Sequence, residues 1–243
     1  MQTFITVLIT ILVFGVIIFI HELGHFIAAK LSGITVHEFA LGMGPTIFHF
    51  EKGGTKYALR LFPIGGFVSM EGEDSESEDE GAFCKKPVWK RIIVVVAGAV
   101  MNVLLGFVIL MLLNTFRTGG IPTTVIKQFN GTAPYAVEES GLKVGDKILK
   151  INGRTMFIEQ DIAFSISEDE DKVVDMVVRR DGKKVSLDNV SVGYVTVTNE
   201  SGQSEEKYPF AVDVESKNVL SVLKYTALNT LYVGRIVWLS LIQ

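Results

Sequence analysis

Cysteine and basic residues are scarce in this 243-residue chain, and each scarcity excludes a class of protein. The single cysteine, Cys84, excludes a disulfide framework and a cysteine-based zinc site. Lysine and arginine together number 23 against 27 acidic residues, for a formal net charge of -4. No long basic run occurs, so the sequence offers no surface for nucleic acid, and we expect no nucleic-acid partner.

Charge is absent from two long stretches. Residues 3–20 and residues 92–116 contain no charged side chain, and each is about as long as a helix that crosses the hydrocarbon core of a bilayer. The first stretch has no basic segment before it and no small-residue cleavage site after it, which argues against a signal peptide. The sequence therefore predicts a membrane protein whose first partner is the lipid bilayer.

Basic residues near the ends of the two stretches predict the orientation. None precedes the first stretch, whereas five lie between the two, close to the membrane ends: Lys30, Lys85, Lys86, Lys90 and Arg91. Lysine and arginine near membrane helices favour the cytoplasmic side. We therefore expect residues 30–91 in the cytoplasm and the segment after the second helix outside it.

The chain divides into five predicted segments. They are a first transmembrane helix at residues 1–29, a cytoplasmic segment at 30–91, a second transmembrane helix at 92–116, a compact α+β module at 117–216, and an amphipathic helix at 217–243. In the cytoplasmic segment we expect a hairpin or β-loop at residues 57–70 and a solvated acidic linker at residues 71–81. Within the module we expect strands at residues 147–151, 173–180 and 183–187, and short helices at residues 133–140 and 157–167. Lys224 and Arg235 are almost three helical turns apart, which favours a helix lying in the membrane interface.

The residues that can carry chemistry lie at the cytoplasmic end of the first helix. His21 and His25 are four positions apart and share one helical face, so both can bind one metal ion. Zinc lowers the pKa of a bound water, and Glu22 beside that face can accept the proton. Ionisable groups at the end of an apolar helix are costly to bury and are rarely present without a use. The alternative is that these side chains only reach towards the headgroup region.

The chain resembles the bacterial site-2 proteases, in particular the group of the regulator of sigma E protease. The resemblance rests on an ordered set of segments that covers essentially the whole chain: HELGH at 21–25, LGMGP at 41–45, RLFPIGGFVSMEGE at 60–73, FCKKPVWKR at 83–91, AGAVMN at 97–102 and a PDZ-like block at 133–156. It implies a membrane α-helical protein with an inserted α+β PDZ-like domain, and a re-entrant or membrane-associated β-loop between the first two helices.

The resemblance also implies roles for particular residues. Zinc is the implied cofactor, held by His21 and His25, with Glu22 as the catalytic base. The β-loop would hold the substrate in extended form through Ile64, Gly65, Gly66, Phe67 and Val68. Asn102 would contact substrate, with a helix–helix hydrogen bond as the equal alternative. Where the family has proline after Ala-Gly, this chain has Ala99.

One expected residue is missing from the sequence. The family supplies a third zinc ligand from a Leu-Asp-Gly segment in a later membrane helix, whereas Asp181-Gly182 and Leu187-Asp188 both lie in the charged strands of the module. Either the chain is a fragment of a longer protein or it is a naturally shortened form without catalysis. The apolar end of the sequence favours an N-terminal fragment, and we expect the chain to be inactive by itself.

Two functions remain open at this point. The first is an intramembrane zinc endopeptidase of the bacterial cytoplasmic membrane, whose partners are single-pass transmembrane substrates such as anti-sigma factors or remnant signal peptides. The second is a non-catalytic membrane adaptor that binds peptide ends through its PDZ-like domain. The complete set of His21, Glu22 and His25 favours the protease, because an adaptor would need none of the three.

Overall fold

The computed structural model describes residues 2–130, 141–198 and 204–242. The chain forms two compact units, Met1–Val108 and Ile109–Gln243. The first unit holds helix α1 (Gln2–Leu31), strands β1 (Val36–Lys52) and β2 (Thr55–Met70), and most of helix α2 (Val88–Phe116). The second unit holds the remaining elements: strands β3 (Ile121–Phe129), β4 (Lys147–Ile151) and β5 (Arg154–Thr155), helix α3 (Glu159–Glu168), strands β6 (Val173–Arg180), β7 (Lys183–Ser191), β8 (Val195–Thr198), β9 (Ser204–Lys207) and β10 (Phe210–Glu215), and helix α4 (Val219–Ile242).

Helices α1 and α2 match the two uncharged stretches of the sequence. Both are long and apolar enough to cross a membrane, with mean hydropathy of 3.0 and 2.8 over their most apolar windows. Large apolar side chains are exposed along both, as expected where lipid replaces water as the solvent. Helix α2 begins at Val88, four residues before the predicted start, and therefore includes Trp89 and two basic residues.

Strands β1 and β2 form a sheet that is more complex than the predicted hairpin. The first part of β1 pairs with both ends of β2, so that Glu38 lies opposite Ser69 on one side and opposite Lys56 on the other. The second part of β1, residues 46–52, pairs with residues 55–60 alone. The change of direction in β2 passes through Gly65, whose φ of 86° is accessible to glycine at little cost. Residues 66–70 consequently form an outer segment of this small sheet.

The acidic run is exposed but anchored at both ends. The Glu71 carboxylate accepts hydrogen bonds from Ser77 Oγ at 2.5 Å and from His37 at 2.6 Å. Backbone bonds from Phe83 N to Glu71 O and from Thr35 N to Gly81 O close the loop. The prediction of a solvated linker is therefore right for its charges, but the loop is folded back on the sheet instead of hanging free.

Six of the described strands of the second unit form one main sheet in the order β10-β3-β4-β6-β7, with β5 beside β4, and β8 pairs with β9 in a separate two-stranded sheet. Strands β4 and β6 have the predicted limits, and β7 is longer than predicted. The β6–β7 turn places Asp181 and Gly182 at φ values of 50° and 79°, the left-handed conformations that a two-residue hairpin turn needs. Helix α3 covers the predicted second helix, whereas the predicted helix at 133–140 lies outside the described residues.

The module has a conventional apolar core. It is built from side chains of the sheet and of α3, among them Ile148, Ile151, Ile166 and Val178, all of them buried. Alternation of buried and exposed positions along β6 places one face of the sheet on this core. An α+β module inserted after the second apolar helix is therefore present, as the composition predicted.

Helix α4 starts at a capped N-terminus, where Asn218 Oδ1 accepts a hydrogen bond from Ser221 N at 2.8 Å. Its two cations face protein groups instead of lying free on a surface. Lys224 pairs with Glu215 at 3.1 Å, and Arg235 pairs with the fully buried carboxylate of Asp161. Both cations of the helix thus contact the module, although the Lys224 side chain is still half exposed, and large apolar side chains of the helix are exposed as well. The interfacial location of the helix stays a prediction.

Candidate metal site

One turn of α1 brings together the three residues that the sequence singled out. His21 and His25 lie four residues apart on one face, and their Nε2 atoms are 3.2 Å apart. Glu22 follows His21 and points to a neighbouring cavity that His25 also lines. The helical spacing alone accounts for this convergence.

Helix α2 supplies a partner for the other ring nitrogen of each histidine. His25 Nδ1 is 2.7 Å from the carbonyl oxygen of Val94, so Nδ1–H donates there and the lone pair of Nε2 is left free. His21 Nδ1 is 3.3 Å from Nδ2 of Asn102. Metal-binding histidines usually donate the second ring N–H to an oxygen acceptor, which fixes the orientation of the ring, and the contact of His25 with Val94 is of this kind.

Two glycines allow the helices to approach closely enough for these contacts. A Cβ on Gly24 would lie 2.5 Å from the carbonyl oxygen of Ala97. A Cβ on Gly98 would lie 2.5 Å from His25 Nε2 and 2.7 Å from His21 Nε2. Gly98 therefore faces the two imidazole nitrogens directly, and any side chain at this position would occupy the space between α2 and the two imidazole rings.

The arrangement fits a tetrahedral divalent metal. Two nitrogens that each bind zinc at about 2.0–2.1 Å in tetrahedral geometry are about 3.3 Å apart, and the observed separation is 3.2 Å. In the ranges 2–130, 141–198 and 204–242, no group of three or more His, Cys, Asp or Glu side chains is placed to hold a metal ion. The separation of the two imidazole nitrogens thus matches two of the three protein ligands that catalytic zinc centres keep.

A cavity of about 340 Å³ adjoins the histidines. Its wall combines Glu22 and His25 with apolar side chains of β2 and α2 and with a second carboxylate, Glu73. Desolvation raises the pKa of Glu73, and the charges of Asp74 and Glu22 raise it further, against lowering by a hydrogen bond from the Met70 backbone and by His25. The cavity is large enough for an amino-acid side chain and contains two acidic groups.

The predicted substrate-holding residues of β2 fall into two groups. Gly66, Phe67 and Val68 line this cavity, and a Cβ on Gly66 would lie 3.0 Å from Glu22 Cγ. The Val68 side chain is itself buried in the cluster beneath α1, so only its backbone can meet a ligand. Ile64 is exposed, and it and Gly65 do not line the cavity.

Sequence reasoning missed three parts of the site. Glu73 was assigned to the acidic linker, although it follows the β2 segment that carries the predicted binding residues. Gly98 was read only as part of a family motif, and the carbonyl of Val94 has no sequence signal. The spacing of Gly98 and Asn102, four residues apart on one helical face, is the signal that could have placed both against His21.

Comparison with known proteins places the chain in a family. Residues 9–239 match the profile of peptidase family M50. The chain belongs to peptidase family M50. A Clostridium acetobutylicum protein with a zinc metalloprotease designation is 31% identical over 99% of this chain and 68% of its own length. The regulator of sigma-W protease RasP of Bacillus subtilis is 30% identical over 97% of the chain and 74% of its own length.

The M50 relatives are longer than this chain. A Fusobacterium nucleatum protein, also with a zinc metalloprotease designation, is 40% identical over 75% of the chain, which covers 54% of that protein. The chain therefore spans between 54% and 74% of the length of these three relatives. Membership of M50 applies to the region matched here, and it includes both apolar helices and the β module.

Proposed function

We propose that this chain is the N-terminal part of an intramembrane zinc endopeptidase. The observation that carries the proposal is the pair of imidazole nitrogens, 3.2 Å apart at the end of an apolar helix, with Glu22 beside them. The zinc metalloprotease designations of M50 relatives support the choice of metal. A zinc ion held by His21 and His25 would polarise a water molecule and lower its pKa towards neutrality.

Residues of this chain would accept the proton, orient the histidine ring and bind the substrate side chain. Glu22 accepts a proton from water beside the histidines, because it is the carboxylate next to the ligand face. The carbonyl of Val94 holds the His25 ring so that Nε2 faces the metal position. The apolar wall of the cavity limits access of bulk water and accepts an apolar substrate side chain.

The substrate would bind by strand addition to residues 66–70. In the part of the chain that the structure describes, this segment pairs on one side only, with residues 36–41. Its backbone runs past Glu22, as the contact at Gly66 requires. An added strand presents an unwound peptide bond, which a helical transmembrane segment does not. Suitable partners are single-pass membrane proteins such as anti-sigma factors or remnant signal peptides, consistent with the sigma-W regulator among the relatives.

A third metal ligand is proposed to lie outside these 243 residues, on a carboxylate of a further membrane helix. The longer relatives leave room for such a helix. The chain by itself should then bind zinc weakly and should not cleave. Measuring zinc content and cleavage of a transmembrane reporter, with and without the next apolar helix of the gene, separates the two forms. Equal cleavage by both forms would show that the ligand set lies within this chain.

Glu22→Gln tests the mechanism in the cleaving form. Loss of the proton acceptor should lower cleavage by about 10²–10⁴-fold, while zinc content stays at the wild-type level because both histidines remain. His25→Ala, as the matched variant, should lower zinc content as well as cleavage. Wild-type cleavage by Glu22→Gln would remove Glu22 from the mechanism.

The proposed orientation places residues 30–91 in the cytoplasm and the β module outside the cell. Cysteine at position 76 or 188, both exposed in the structure, can report it in a Cys84→Ser background. A membrane-impermeant thiol reagent applied to intact cells should label Asp188→Cys and leave Glu76→Cys unlabelled. Labelling of Glu76→Cys alone would reverse the topology.

A membrane adaptor is the second candidate function. Among the described strands, β10 is at the edge of the module sheet and pairs with β3 alone, so its other edge could add a peptide strand. Under this alternative, a peptide would bind to the module of the Glu22→Gln and His25→Ala variants as well as to the wild type, and none of the three would cleave it.

A further inference from the structure

Asn102 is a half-buried polar residue in the apolar middle of α2, and its amide contacts His21. Its Nδ2 atom is 3.3 Å from His21 Nδ1. Its Oδ1 atom is buried and, within the described residues, has no hydrogen-bond partner. A buried polar atom without a hydrogen-bond partner destabilises the fold, so the position of this amide requires an explanation.

The amide orientation determines which nitrogen of His21 carries the proton. When Nδ2 faces His21, the amide donates to Nδ1, and Nε2–H of His21 donates to His25 Nε2. That arrangement blocks the nitrogen that a metal needs. A rotation of 180° about the Cβ–Cγ bond brings Oδ1 to Nδ1, which then must carry the proton, and the Nε2 lone pair becomes free.

Hydrogen-bond satisfaction alone does not choose between the two orientations. Either one leaves one amide atom of Asn102 without a partner among the described residues. His25 Nε2 is an unprotonated acceptor because Nδ1–H donates to Val94 O at 2.7 Å. A metal bound by both rings makes the choice, because it needs a free lone pair on Nε2 of His21 as well as on Nε2 of His25. Two free Nε2 lone pairs 3.2 Å apart repel each other unless a cation lies between them.

We propose that Asn102 is a positioning residue that holds His21 with Nδ1 protonated and Nε2 directed to the metal. The inference rests on the metal centre proposed above and assigns Asn102 to the ligand sphere instead of the substrate. It completes a symmetrical arrangement in which α2 orients both histidines of α1, with the Val94 carbonyl for His25 and the Asn102 carbonyl for His21.

Zinc affinity of the full chain in detergent micelles tests the assignment, measured by competition with a chromophoric chelator. Asn102→Leu keeps the side-chain size and removes the acceptor, and it should weaken zinc binding by about 10–100-fold. Asn102→Asp keeps an oxygen acceptor for Nδ1–H and should bind zinc at least as well as the wild type. Asn102→Ala replaces the leucine variant if circular dichroism shows that the latter does not fold.

Asn114 provides a matched control on the same helix. It is a buried asparagine, and its amide donates to Thr226 Oγ1 at 3.2 Å in a helix–helix contact. Asn114→Leu should leave zinc affinity unchanged.

The outcomes separate the inference from the proposed function. Wild-type zinc affinity in Asn102→Leu, or loss of affinity in Asn102→Asp equal to that in Asn102→Leu, would overturn the positioning role and leave the metal centre in place. If neither the wild-type chain nor the form extended through the next apolar helix binds zinc, the metal centre and the inference are both overturned.

Discussion

The two units of this protein use apolar residues in opposite ways. In α1, Leu12 is 65% exposed and its neighbours along the helix are exposed as well, whereas in the β module Ile148 is completely buried. The module is held together by burying apolar area from water, at about 25 cal/mol per Å². That gain is absent between membrane helices, because lipid tails are as apolar as leucine.

The difference shows which kinds of residue determine the packing in each unit. In the module, the volumes of the buried side chains decide the packing. In the first unit, called the helical unit below, small and polar residues determine how α1 packs against α2. Gly24 and Gly98 permit the close approach of the two helices, and the Val94 carbonyl orients a histidine. Adding a carbon atom should therefore be most harmful at the contact between α1 and α2. Removing carbon atoms should be most harmful in the buried core of the module.

Gly98→Ala should have the largest effect. The new Cβ would lie 2.5 Å from His25 Nε2 and 2.7 Å from His21 Nε2, so the imidazoles must move apart. We expect zinc binding by the chain to fall below detection. Gly106→Ala, on the same helix with nothing within 4 Å of the added carbon, is the matched control and should bind zinc as the wild type does.

Competition with a chromophoric chelator measures the zinc affinity of both variants, and circular dichroism tests whether α2 remains helical. Alanine favours a helix over glycine, so loss of folding would not explain a weak Gly98→Ala. Equal zinc affinity of the two variants would contradict the proposed difference between the units, because the helical unit would then tolerate added volume at its closest contact.

How far the sequence predicted this arrangement depends on the range of the interaction. Helix α1 and the convergence of His21 and His25 follow from local periodicity and spacing, and both are found. The folding of β1 between the two ends of β2 depends on pairings that no local pattern specifies. The same holds for Glu73, since only the folded loop brings it to the cavity.

Charges were the least predictable feature for a related reason. Lys224 and Arg235 share a helical face, and that pattern cannot distinguish a membrane interface from a protein surface. Arg235 reaches Asp161, whose burial depends on the tertiary packing of α3 and α4. Spacing predicts which residues share a face, and only the fold determines what that face meets.

Ile148→Ala tests how strongly the stability of the module depends on its buried apolar side chains. Removing a fully buried isoleucine side chain leaves a cavity, and the free energy of unfolding should fall by about 2–5 kcal/mol. Urea unfolding of the module in the full chain, followed by circular dichroism, measures it. Leu12→Ala removes a similar volume from an exposed site in α1 and should change stability by less than about 0.5 kcal/mol. A large effect of Leu12→Ala would mean that this residue packs on protein.

The smallest expected effect is electrostatic and lies in the module alone. Asp146 is buried, and its carboxylate accepts hydrogen bonds from Arg180 Nε at 2.8 Å, from an Arg180 terminal nitrogen at 2.6 Å and from Lys143 N at 2.9 Å. Burial alone would raise the pKa of Asp146, but the hydrogen bonds and the charges of Arg180 and Lys143 outweigh it and lower the pKa below its ordinary value.

A carboxyl group with a lowered folded-state pKa stabilises the fold above its unfolded pKa, about 3.9. That stabilisation is lost as the pH falls through the folded value, because protonation then favours the unfolded chain. We expect the contribution of Asp146 to the module's free energy of unfolding to be constant between pH 7 and 5. It should decline below pH 4, by about 1.4 kcal/mol for each unit that separates the two pKa values.

Asp146→Asn isolates this contribution, since other carboxylates also titrate in the acid range. The difference in unfolding free energy between wild type and Asp146→Asn should be constant from pH 7 to 5 and shrink towards pH 2. Zinc affinity at pH 7, which depends on the helical unit, should be the same for both proteins. A difference that stays constant to pH 2 would show that the Arg180 contact does not stabilise the ionised carboxylate, and the module would then depend on its apolar core alone.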